Sequence, residues 1–137
     1  MFSIQNYVGV HADSPDWNDA RKSNANRLIC ACAKLQTMME EAGIVFHLNP
    51  ATNTTISGQT FGGFRPQDCP IGAADSAHKT GEAVDRYDHD GAIDAWLVAH
   101  PEALVECGIY IEAPASTQGW SHWAIRKPHS GMHIFQP

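Results

Sequence analysis

No stretch of this chain approaches the ~20 consecutive apolar residues that a membrane-crossing helix needs. The opening MFSIQNYVGVHADSP has no basic leader followed by an apolar run, so a secretory signal is not expected, and synthesis in the cytosol follows. Positive charge is scarce: 9 Lys and Arg face 15 Asp and Glu, and no basic cluster is longer than Arg126 and Lys127. A chain with a formal charge of -6 has no electrostatic reason to bind nucleic acid. The 4 cysteines (Cys30, Cys32, Cys69 and Cys107) contain no Cys-x-x-Cys pair, which removes the common thiolate metal patterns. Reduced, mostly buried thiols are expected, with Cys30 and Cys32 pointing in different directions from one helix. Repeats and low-complexity tracts are also missing, so the 137 residues, 43% hydrophobic and 18% charged, predict one domain, 1-137, around one core. One further absence bears on chemistry: no acidic side chain follows Glu112.

What is present reads as a mixture of helix and strand. Residues 15–43 read as a helical region, possessing a break near Ser23, in which Leu28, Cys32, Leu35 and Met39 recur three and four apart. Ser14 before Pro15 predicts its N-cap and Gly43 its stop. That stripe, with Met38 and Met39, belongs to the core rather than to a cofactor. Residues 44–48 then read as a short strand. The Gly, Pro, Thr and Asn of 49–75 predict loops, with 54–57 and 62–65 as extended pieces. Asp88 or Asp90 can cap a helix that buries Ile93, Trp96 and Leu97. A helical turn from Pro101 ends at Gly108, and 109–111 form a strand. His122 is expected on a neighbouring antiparallel strand.

The chemistry concentrates in SAHKTGEAVD, residues 76–85, and in WSHW, residues 120–123. A turn after His78 lets Gly81 take a backbone conformation that a side chain resists, and Ala83 and Val84 carry Asp85 back beside the histidine. His78, Asp85 and His122 then supply two imidazoles and a carboxylate. Zinc held by three such groups keeps its fourth position for water, lowers that water's pKa to about 7 and polarises a carbonyl, which is hydrolase chemistry.

These residues resemble the M15 peptidases, the zinc D-Ala-D-Ala carboxypeptidase and peptidoglycan endopeptidase group. Every fixed position of that family's motif Ser-x-His-x-x-Gly-x-Ala-x-Asp is present as Ser76, His78, Gly81, Ala83 and Asp85, and WSHW is similar to its second motif. Phe64, Arg65 and Pro66 match an upstream arginine in an aromatic context. The closing GIYIEAP and GWSHWAIRKPHSGMHIFQP resemble small phage and prophage members, which include cell-wall endopeptidases. The resemblance runs from about residue 55 to the C-terminus, and the first fifty residues match loosely.

The resemblance implies a Hedgehog/DD-peptidase-like α+β fold, a small antiparallel sheet flanked by helices. It implies His78, Asp85 and His122 as zinc ligands and Arg65 as a group that orients a substrate carboxylate, for which a guanidinium is better shaped than an ammonium. Ser76 would hydrogen-bond substrate or brace the first motif. The substrate implied is a peptidoglycan stem peptide, reached by lysis, by another protein or in a phage particle.

Many members carry Glu or Asp three residues before the last zinc histidine, and here that position is Gly119. A positioned carboxylate contributes ~10² to 10⁴ in rate. Glu112 is the best substitute as general base, ahead of Asp75 and Asp68. His89 reads as a solvated loop residue and His11, His47, His100, His129 and His133 as structural, with support of the site by a hydrogen bond as the alternative for His129 and His133. A noncatalytic phage structural or wall-binding protein that keeps the metal site is the competing expectation. A closed structural zinc domain fits less well, since such sites usually have four Cys or His ligands.

Overall fold

The protein, described over residues 1–137 by a computed structural model, is an α+β domain with a small four-stranded sheet. Helices α1 (Ile4–Val8) and α2 (Asp19–Glu41) come first, followed by a long irregular stretch and strand β1 (Ala83–Asp88). Helices α3 (Ala92–Ala99) and α4 (Pro101–Cys107) precede strands β2 (Tyr110–Glu112), β3 (Gly119–Ala124) and β4 (Ile134–Phe135). No helix is long and apolar enough to cross a membrane.

Helix α2 is unbroken at Ser23 and starts later than Ser14 suggested. Ser14 Oγ accepts from the Asp16 amide in a turn, and the extended Asn18 is the cap instead, its side chain accepting from Arg21 N. The expected stripe is fully buried: Leu28, Cys32, Leu35 and Met39 are each 0% exposed. Burying a Leu or Met side chain contributes about 1.5–3 kcal/mol. Gly43 ends the helix as expected, with φ +91.

Residues 44–48 are not a strand. Ile44 and Phe46 pack on the core while Val45 and Leu48 are exposed, yet the segment makes no ladder. The edge of β1 is already taken by the following segment: Tyr87 N donates to Thr55 O, Ser57 N to Asp85 O, and Asp85 N to Gly62 O. The extended piece at 54–57 is therefore correct as a pair of isolated bridges, whereas 62–65 is irregular, its amides going to Tyr7 O and His78 O.

The sheet order is β1-β3-β2-β4, with β3 antiparallel to both β1 and β2. It is not wholly antiparallel, because β4 runs parallel to β2. The turn at 128–131 reverses the chain after β3, and the only open edge lies beyond β2, which β3 already opposes. One face of the sheet packs Val84, Ile111 and Trp123 into a core shared with α2, α3 and α4. Asp88 caps α3 by accepting from the Ile93 and Asp94 amides, and Asp90 accepts from Ala92 N. Ile93 and Leu97 are buried as expected, but Trp96 is half-buried and stacks on His100 instead. Pro101 opens α4 and Gly108, at φ +67, closes it.

All four cysteines are free, but only Cys32 is buried; Cys30, Cys69 and Cys107 are exposed or half-buried. Two residues along α2 rotate Cys30 about 200° away from Cys32, toward solvent. Burial pushes the Cys32 thiol up to about 12, which keeps it unreactive.

Candidate metal centre

The first motif folds as a tight sequence of local devices. Ser76 Oγ accepts from His78 N at 3.3 Å, opening a 3-10 turn over Ala77–Thr80. Gly81 closes that turn at φ +81, and a Cβ there would stand 2.6 Å from Arg21 O on α2. Only glycine satisfies both conditions. The chain then enters β1, where Asp85 lies directly opposite His122 in the antiparallel register with β3. Asp85 and His122, 37 positions apart in the sequence, thus meet across one strand pair.

The three side chains are buried, at 2% exposure for His78, 7% for Asp85 and 8% for His122. Asp85 Oδ1 faces both rings, 3.2 Å from His78 Nε2 and 2.9 Å from His122 Nδ1. All three candidate ligand atoms lie within 4.8 Å of one another. Ligands about 2.0–2.1 Å from a tetrahedral zinc stand about 3.3 Å apart, so the spacing suits such an ion.

The tautomer of His78 sharpens that fit. Its Nδ1 is 2.8 Å from Gly63 O, and a carbonyl only accepts, so Nδ1 carries a proton. In the neutral ring Nε2 then turns a lone pair toward a carboxylate oxygen, an arrangement that calls for a cation between them, proton or metal. Asp85's other oxygen, Oδ2, accepts from Arg65 Nη2 at 3.3 Å. Burial alone would raise the Asp85 carboxyl, but His78 and His122 outweigh it and hold Asp85 well below the usual carboxylate range. Burial likewise opposes protonation of His122, and its hydrogen bond to Asp85 overcomes that and raises it.

Arg65 is 8% exposed and engaged by the protein: besides Asp85, Nε donates to Phe61 O at 2.8 Å and Nη1 to Ile71 O at 3.4 Å. Three bonds leave two of a guanidinium's five N–H groups. Glu112, at the end of β2, places Oε1 3.9 Å from His122 Nε2, the ring nitrogen that does not face Asp85. Asp68 and Asp75 are exposed, and Asp75 is tied in only through its backbone carbonyl, which accepts from Arg126. His133 donates from Nδ1 to Ile109 O and stacks on Tyr110, which commits it to the sheet edge; His129 is exposed.

Beside Asp85 and Arg65 opens a cleft of about 560 Å³, lined among others by Asn49, Phe61, Tyr87, Gln118 and Trp120. Sequence reasoning did not single out this lining, although strand alternation was a usable signal: Tyr87 is two residues past Asp85 and shares its face. Trp120 is opposite Tyr87 in the same register.

The fold and site together define an α+β domain with a buried, metal-competent His–Asp–His centre at the wall of an open cleft. Comparison of the chain with protein-family models, with curated proteins and with solved structures returns no match.

Proposed function

We propose that the protein is a zinc-dependent peptidase of the M15 type, with a Hedgehog/DD-peptidase-like fold, that hydrolyses a peptide bond in peptidoglycan stem peptides as a D-Ala-D-Ala carboxypeptidase or L,D-endopeptidase. The observation that carries this reading is the convergence of both motifs on Asp85 Oδ1, with His78 Nε2 and His122 Nδ1 turned to the same oxygen beside a cleft. Zinc held there would supply a Lewis acid and an activated water. Gly63 O and Arg65 fix the orientations of His78 and Asp85, so the donor set is organised before any ion arrives. Arg65 borders the cleft and keeps two N–H groups for a substrate carboxylate. Ser76 braces the first motif through the His78 amide.

Glu112 remains the acid assigned to proton transfer, and its position behind His122 also suits a carboxylate that steadies a metal-bound imidazole. Glu112→Gln separates the two roles. As general base, Glu112 is needed for turnover, and the variant loses about 10² or more in kcat with zinc affinity unchanged. As an orienting group, zinc affinity itself falls about 10- to 100-fold.

The deciding experiment incubates zinc-loaded protein with peptidoglycan fragments and follows product by mass spectrometry. Release of a terminal D-Ala or of split stem peptides is expected. Binding without any product over long incubation would establish the competing reading, a noncatalytic wall-binding or phage structural protein. The specific observation on that side is Gly119, where an acid would otherwise stand three residues before His122.

A further inference from the structure

A second group of metal-competent side chains stands apart from the buried centre. His47, in the irregular segment after α2, meets His89 and Asp90, in the turn between β1 and α3, and their candidate ligand atoms all lie within 4.8 Å of one another. The two imidazoles are edge to face, centroids 4.9 Å apart at 89°. His89 Nε2 is 4.0 Å from Asp90 Oδ2.

Two of the three ligands are held by the fold. The Tyr87 ring stacks on His89 at 5.5 Å and 14°, and Asp90 Oδ1 accepts from Ala92 N at the start of α3, leaving Oδ2 outward. All three residues are exposed, so water can complete a coordination shell.

The location is informative. Asp85 and Tyr87 occupy alternate positions of β1 and share one face, and the turn that follows the strand lays His89 against the Tyr87 ring. Tyr87 lines the cleft beside the buried centre, and so does Asn49, two residues from His47. The cluster therefore stands at the end of that cleft, against the outer side of Tyr87.

We propose that His47, Asp90 and His89 form a second, exchangeable binding site for a divalent transition metal at the outer end of the cleft. Two neutral imidazoles and one carboxylate suit zinc, nickel or copper rather than magnesium or calcium, which prefer oxygen ligands. Exposure and incomplete protein ligation make it the weaker site, filled after the buried one. The proposal does not depend on peptidase activity or on occupancy of the buried centre.

Zinc titration followed by metal analysis and by NMR of the imidazole C–H signals tests it. Wild type is expected to take up about two ions per chain, and His47→Ala or His89→Ala about one. Asp90→Asn should weaken the second event while keeping the helix cap, since Asn caps as well as Asp. The His47 and His89 signals should move together in the second phase while exposed His129 stays still. In the His78→Ala, His122→Ala double variant the weaker ion should persist, which separates this site from any failure of the buried one. Wild-type uptake unchanged in the His47→Ala, His89→Ala double variant would overturn the proposal. So would ring signals of His47 and His89 that stay fixed through saturation, or that move no more than those of His129.

Discussion

Asp85 and Arg86 are consecutive residues of β1, both charged and both buried, yet the protein handles them by opposite means. Strand alternation turns Asp85 toward the cleft and Arg86 into the core. Asp85 is surrounded by polar groups: two imidazoles at one oxygen and a donating guanidinium at the other. Arg86, at 0% exposure, has no carboxylate within salt-bridge distance and sits among three aromatic rings, with Trp123 at 4.7 Å, Phe46 at 4.9 Å and Phe2 at 5.0 Å. Its Nη2 donates to Gln36 Oε1 at 2.6 Å and to Thr55 Oγ1 at 3.1 Å, while Nε and Nη1 find no partner. Burial pulls Arg86 down to about 10, which still leaves it charged at neutral pH. The lesson lies in what can be exchanged. A metal ion can replace the protons that Asp85 shares with its neighbours, whereas Arg86, wedged between ring faces, is part of the packing and exchanges with nothing in solution.

The largest effect that tests this contrast is loss of metal. His78→Ala, Asp85→Ala and His122→Ala should each abolish tight zinc binding, read as zinc retained after dialysis, while Arg86→Met keeps it. Equal zinc in wild type and all three ligand variants would erase the functional side of the comparison.

Next in size is the core side. Arg86→Ala should destabilise the fold by about 3 kcal/mol or more, because it opens a cavity among three rings and leaves Gln36 without its donor. Arg86→Met fills most of that space and should cost clearly less. Urea denaturation of the two variants decides whether packing or charge matters at this position: equal losses would assign the effect to the charge.

The smallest effect is a pH dependence of the metal-free protein. His122 is raised in the folded state, so its contribution is fully present below the ordinary histidine value of about 6.5 and is lost as pH rises through the raised one. Asp85 is depressed, so its contribution is present above the ordinary carboxylate value of about 3.9 and is lost as pH falls through the depressed one. In chelator, the Tm advantage of wild type over His122→Asn should therefore shrink as pH is raised from about 6 to about 9. An advantage that grows over that range would reverse the sign assigned to His122.

Local physics made much of the molecule legible in its sequence. The α2 stripe, the Asp88 and Asp90 caps, the stops at Gly43 and Gly108 and the turn ending at Gly81 each depend on a few neighbouring residues, and each appears where the pattern placed it. The convergence of His78, Asp85 and His122 was legible as well, because an antiparallel pair needs only two strands and a register. Competition for edges was not legible. Residues 44–48 read like a short strand, but residues 55–57 and Gly62 hold the edge of β1, and β4 reached the far side of β2 in parallel. Arg86 illustrates the same limit, since a lone arginine between Asp85 and Tyr87 gives no sign that Phe2, Phe46 and Trp123 will enclose it.

Gly63 carries one last consequence. Its carbonyl holds His78, and its bare Cα lies so close to α1 that a Cβ would stand 1.9 Å from Tyr7 O, while the Tyr7 hydroxyl donates to Ala83 O at the start of β1. The motif-bearing part of the chain is consequently not a portable cassette. A fragment beginning near residue 55, or a fusion that buries or clips the first helix, would carry every ligand yet lose the wall that aims them. Grafting this centre into another scaffold means transplanting the opening helix with it.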